Sequence, residues 1–145
     1  MDVKDCFEKG LLKKETPDIG KSKRSIDVAK YKLNLAKRLF NLKIFEETIT
    51  NSYSAMFYAA RALLFKDGVI EKSHYGLFLY VKEEYSDKLE RRFINELNVL
   101  RLERHEISYG LEKPEVTQSE AEDSVRIAVD FIRAVEKIID TRDQS

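Results

Sequence analysis

From about residue 25 onward the chain repeats apolar positions at alternating steps of three and four, the spacing that lines one face of an α-helix. Ile26, Ala29, Leu33, Ala36 and Phe40 form the first stripe. The phase changes at Asn41, which predicts a tight connection at 41–43. A second long helix then runs to about Lys66, with Ile49, Tyr53, Met56, Ala60 and Leu63 on one face. Its small residues (Ser52, Ser54, Ala55, Ala59, Ala60, Ala62) allow another helix to approach closely. Asp67-Gly68 closes it, because glycine reaches the left-handed conformation at little cost. Ser73 is placed as the N-cap of a short helix through Tyr85 that carries Leu77, Phe78 and Val81. The segment 87–110 brings Phe93, Leu97, Leu100 and Ile107 into register and ends at Gly110 and Pro114. Thr117-Gln-Ser-Glu120 fits a capping box for the last helix, whose stripe is Val125, Ala128, Ile132, Val135 and Ile139. No segment of comparable length alternates with a strand period. The pattern predicts an all-α fold: an up-and-down bundle of four long helices plus one or two short ones.

Residues 1–21 break this rhythm. They hold a brief apolar pattern (Phe7, Leu11, Leu12) and a Thr16-Pro17-Asp18 break, and read as an N-terminal extension with a short helix. The bundle proper is expected over 22–140 and a disordered tail over 141–145. At 145 residues there is one domain and no room for a second core. Twenty-six basic residues balance 26 acidic ones, so the net charge is zero. That excludes a whole-protein field drawing the chain onto nucleic acid or an anionic membrane, while permitting a local basic patch. The single cysteine, Cys6, excludes an intramolecular disulfide and falls in the segment expected to be least ordered. With no apolar run of membrane-spanning length and no signal-like start, a cytoplasmic protein without a membrane contact is expected.

One residue violates the apolar rule. Four positions beyond Leu100 on the inward stripe stands Arg104. An arginine there either snorkels to the bundle edge or serves a polar site, because an unpaired buried charge is costly. Its neighbours give the second reading some content. RLERHEISYG sets Arg101 and His105 four apart on one flank of the helix, with Tyr109 four beyond His105. Two guanidiniums, an imidazole and a phenol can hold phosphate, and an imidazole can move protons in RNA cleavage. The same residues also fit a solvated helix face. His74 reads as a surface residue in the first turn of its helix, and the aromatics Tyr53, Phe57, Tyr58, Phe65, Tyr75, Phe78 and Tyr80 read as core. No Gly-rich phosphate loop, nucleophile elbow or Glu-x-x-His pattern occurs, so neither metal nor cofactor is expected.

Three stretches together resemble one family. Tyr53-x-Ala55-Met56-Phe57-x-Ala59-Ala60-Arg61-Ala62-Leu63-Leu64, then Lys72-Ser73-His74-x-Gly76, then the Arg104…Tyr109 end motif, are similar to the HEPN domain in its small stand-alone branch. The resemblance covers roughly 22–140. It implies a helical bundle that forms a homodimer, and a toxin component paired with a minimal nucleotidyltransferase antitoxin. Catalytic members are metal-independent endoribonucleases with an Arg-x(4–6)-His motif. Here the only nearby pair is Arg101 and His105, with three residues between, while the family's spacing from Tyr109 falls on Leu102 and Ile107. The resemblance marks Arg101 and His105 as the catalytic candidates and Arg104 with Arg101 as the nucleotide- or RNA-binding residues. Tyr109 is the residue that the partner enzyme would modify. A weak or degenerate RNase, a non-catalytic HEPN module that binds nucleotide, RNA or a partner protein, and a purely structural dimer all remain open.

Overall fold

The computed structural model describes residues 1–112 and 115–144, with side chains through Asp140. Among these it forms six helices and one two-stranded sheet. The expected helix stop at Pro114, and the last residue of the expected tail, Ser145, lie outside the described residues.

Two long helices make the backbone of the bundle: α2 (Ile19–Asn41) and α3 (Phe45–Asp67). The connection between them falls where the hydrophobic phase changed. Leu42 is the C-cap, Lys43 follows in the left-handed region at φ 61°, and two hydrogen bonds seal the turn. The Ile44 amide donates to the Leu39 carbonyl at 3.0 Å and the Lys43 amide to Phe40 at 2.9 Å. These are the two bonds of a Schellman motif, which satisfies carbonyls otherwise orphaned at a helix end.

α3 is the central helix. No residue from Thr50 to Glu71 is exposed, because α2, α6 (Gln118–Gln144), α5 (Arg91–Tyr109) and α4 (His74–Glu84) all pack against it. A helix covered on every side must be apolar or small all round, and the run of Ala and Ser supplies this. The buried serine hydroxyls between the helices find partners. Ser22 and Ser25 of α2 donate to the α3 carbonyls of Ala62 (2.6 Å) and Tyr58 (2.7 Å). Ser124 of α6 donates to Ser52 at 3.0 Å. Each such bond is worth about 1 kcal/mol net, and much more is lost when only one partner is removed. The predicted stripes are core: Ile49, Tyr53, Met56, Ala60 and Leu63 on α3, Phe93, Leu97, Leu100 and Ile107 on α5, and Ala128, Ile132, Val135 and Ile139 on α6 are all buried, while Phe40 and Val125 at the ends of their stripes are partly buried. At the start of α6 the Thr117 hydroxyl accepts from the Glu120 amide at 3.1 Å, and no helix among the described residues is long and apolar enough to cross a membrane.

The N-terminal segment departs from expectation. α1 (Val3–Glu8) is closed by a capping box between Asp2 and Asp5, and Cys6 is fully buried rather than loose. Burial, with Glu83 and Asp5 nearby, pushes its thiol pKa up and keeps it inert. Strand β1 (Leu12–Lys14) then pairs antiparallel with β2 (Val69–Glu71), Leu12 opposite Glu71 and Lys14 opposite Val69. Three-residue strands are too short to register an alternation, so the hydrophobic pattern could not reveal them. The two-stranded sheet clamps both ends of the α3–α4 connection. Gly68 caps α3 at φ 79°, with the Glu15 carbonyl 2.5 Å from where a Cβ would stand. Gly76, in the first turn of α4, leaves room for the Leu11 carbonyl, 2.9 Å from the equivalent point. The extension therefore fixes where α4 begins, and with it the position of His74.

Candidate functional site

The last two turns of α5 carry the arginines singled out from the sequence. Among the described residues three arginines are partly buried: Arg61, Arg101 and Arg104. Arg61 is neutralised inside the chain, with Nε 2.7 Å from a Glu71 carboxylate oxygen and its guanidinium over the rings of Phe65 and Tyr58. Burial raises the Glu71 pKa against the opposing pull of Arg61. Arg101 and Arg104 are different. Neither pairs with a carboxylate among the described residues. Arg101 donates from Nε (3.2 Å) and Nη2 (2.8 Å) to Asn98 Oδ1, and lies 5.4 Å from the Tyr75 ring centre and 6.0 Å from that of Phe78. Arg104 sits 6.0 Å from the centre of the Tyr109 ring. Planar cations resting on aromatic faces keep their charge while shedding part of their water. Two such charges, three residues apart with no counter-charge, make a local anion-attracting field on a protein of zero net charge.

The carboxylates that neighbour these arginines in sequence do not compensate them. Glu103 turns to the opposite flank of α5, where it shares a groove of about 330 Å³ with Glu96, Glu120 and Asp123. Burial, reinforced by Glu120 and Glu96, raises its pKa. Glu106 is exposed and makes no ion pair within the described residues. α5 is thus bipolar across its width, basic toward α4 and acidic toward α6.

His74 is the residue that sequence reasoning misplaced. It opens α4, but it is partly buried instead of lying free on the surface. Its Nδ1 is 2.7 Å from the Tyr53 hydroxyl, and its ring packs 4.5 Å from Phe57 and 5.7 Å from Tyr53. Desolvation lowers its pKa, and the charges of Arg104 and Arg101 lower it further. The same two guanidiniums act on Tyr53, whose pKa is nonetheless raised by burial. Tyr75, expected in the core, is exposed and stands under Arg101. The signal for His74 was the Lys72-Ser73-His74 run: the Ser73 hydroxyl caps the Gly76 amide at 2.8 Å and so fixes the imidazole at the first helical position.

The remaining candidates form a second, outer group. His105 is exposed, and its ring stands 5.0 Å from that of Tyr109. Tyr109 is 67% exposed and ends α5 at the Gly110 cap. Arg104 links the two groups, contacting the Tyr109 ring while its charge reaches His74. The positions that the family spacing selected are inert: Ile107 is core at 8% exposure, and Leu102 faces away from it at 52%. Among the described residues no group of three or more His, Cys, Asp or Glu side chains converges as metal ligands.

Comparison with known proteins adds two findings. A family model described as "HEPN domain" matches residues 22–138. A curated protein of Methanocaldococcus jannaschii named "Putative toxin MJ0605" is 29% identical over 119 residues, covering 79% of this chain and 85% of that protein.

Proposed function

The chain belongs to the HEPN domain family, and on that premise we propose that it is a toxin component that acts on RNA as a homodimer, without a metal. The observation that carries this reading is the pair of partly buried, uncompensated guanidiniums, Arg101 and Arg104, at the end of α5. RNA phosphates supply the missing counter-charge, and a planar cation fits phosphate geometry with two parallel hydrogen bonds. The name of the archaeal relative supports the toxin reading.

Cleavage in this reading is the transfer of a phosphodiester to its own 2′-hydroxyl. The His105 imidazole takes the 2′-hydroxyl proton as the 2′ oxygen attacks phosphorus. The bond from phosphorus to the 5′ oxygen breaks, and that oxygen takes up a proton from the imidazole of the second copy. The products are a 2′,3′-cyclic phosphate and a 5′-hydroxyl. Arg101 and Arg104 stabilise the charge that grows on the phosphoryl oxygens. His105 is one turn beyond Arg101 on the same flank, and its exposure leaves it free to meet a substrate from the outside. The dimer forms through the outward face of α5, where Val99 and Leu102 are about half exposed beside Tyr109.

Tyr109 is the regulatory point. Its exposed ring is open to a nucleotidyltransferase partner, and a nucleotide joined to its hydroxyl would place a phosphate beside Arg104 and His105. The modified protein would then occupy its own anion site. A second reading, a HEPN module that binds RNA without cutting it, is favoured by the tethering of Arg101 to Asn98 and by the core position of Ile107. Incubation of purified protein with single-stranded RNA in excess chelator separates the two. The first predicts fragments ending in cyclic phosphate that vanish in His105→Ala. The second predicts binding with no fragments.

A further inference from the structure

The Tyr53–His74 pair poses a question that the RNA reading leaves unanswered. Tyr53 is 1% exposed, and a buried hydroxyl must give its hydrogen to an acceptor. Among the described residues its partner is His74 Nδ1, at 2.7 Å. With Nδ1 accepting, the neutral imidazole carries its hydrogen on Nε2. That N–H has no partner among the described residues, although the ring is packed between Phe57 and Tyr53. An unpartnered donor on a ring whose other nitrogen is committed to Tyr53, next in sequence to the Tyr75 ring that lies under Arg101, is available to an acceptor from outside the chain.

We propose that His74 extends the anion site across the gap between α4 and α5, its Nε2–H donating to a phosphate oxygen whose charge Arg101 and Arg104 balance. Tyr53 is a positioning residue: it fixes the tautomer and aims the ring. The ligand lies beside the amino end of α4, where the helix dipole also favours negative charge. His105 stands exposed against Tyr109, so His74 is a separate contact that shares only the two guanidiniums with it. The proposal rests on the RNA reading only for the source of the phosphate, a phosphodiester of single-stranded RNA; the chemistry of recognition is that of phosphate itself.

Two measurements on the full chain test it. In the first, inorganic phosphate is titrated into ¹⁵N-labelled protein and the imidazole nitrogens are followed by NMR, the His74 signals being identified by their loss in His74→Gln. The expected result is a saturable shift of His74 Nε2, with Nδ1 moving little. In the second, a fluorescein-labelled single-stranded RNA is titrated with wild type, His74→Gln and Tyr53→Phe. Loss of one hydrogen bond to a charged group predicts about tenfold weaker binding for His74→Gln. Tyr53→Phe keeps the ring packing and gives up only the hydrogen bond, so it should lower the thermal midpoint by a few degrees yet stay folded at the assay temperature, where severalfold weaker binding separates positioning from folding. A stationary His74 signal, with RNA bound equally by His74→Gln and wild type, overturns the proposal and leaves the RNA reading intact. A His74 shift with phosphate in a protein that ignores RNA does the reverse.

Discussion

Arg104 and His74 present the same electrostatic situation from two sides: a partly buried cation without a counter-ion, and an imidazole kept neutral next to it. Desolvation is the larger influence on His74 and Arg104 comes second, so His74 is expected to titrate below the ordinary 6.5 in an NMR pH series. Arg104→Ala removes a like charge and should move that midpoint upward, part of the way back to 6.5. If the midpoint stays put, Arg104 does not face the imidazole. The linkage has a definite sign. The unfolded chain binds the proton more readily, so the contribution of His74 to stability is present above about pH 6.5 and is lost as pH falls through its lowered folded value. His74→Gln should therefore show less acid destabilisation than wild type between pH 7 and 5. Arg104 was visible in the sequence because a charge on an apolar stripe is a local contradiction. His74 was not, because the burial of a first-turn residue depends on which distant ring comes to lie against it, here Phe57 seventeen residues earlier.

The boundaries of the elements test the local physics. Lys43 holds a left-handed backbone that glycine adopts more readily, so Lys43→Gly should stabilise the fold by about 1 kcal/mol. In thermal unfolding this corresponds to a midpoint about 3 °C higher, and no increase would mean that the turn relaxes around Lys43. Gly76→Ala should do the opposite. The new Cβ meets the Leu11 carbonyl at 2.9 Å, backbone that can give way only if the β1–β2 sheet shifts. A loss of about 1–3 kcal/mol is expected, the usual cost of overpacking. The start of α4 should move as well, and the His74 signals with it. The long helices were legible because each repeats its stripe over several turns and carries cap residues such as Ser73, Gly68 and Thr117. The two-stranded sheet was not, because its pairing joins segments nearly sixty residues apart and rests on three residues a side.

At the scale of the whole molecule, a net charge of zero conceals a separation of charge across α5: Arg101 and Arg104 toward α4, Glu96 and Glu103 toward α6. Composition could exclude a global field but could not locate this one. The central helix α3 has no exposed residue from Thr50 to the end of its span, so it offers a partner little surface, whereas the outer face of α5 offers Val99, Leu102 and Tyr109. Leu102→Glu at that face should turn the expected dimer into a monomer in sedimentation velocity without lowering thermal stability by more than the dimer contributed. A wild-type protein that sediments as a monomer at micromolar concentration would contradict the dimer.

The most direct test of the account is the salt dependence of RNA binding. Each phosphate neutralised on a single strand contributes about 0.7 to the slope of log affinity against log salt. If Arg101 and Arg104 each hold one phosphate, the doubly substituted Arg101→Ala/Arg104→Ala protein should bind a single-stranded RNA more weakly, with a slope shallower by about 1.4. Equal affinity and an equal slope in the two proteins would mean that these guanidiniums do not hold RNA.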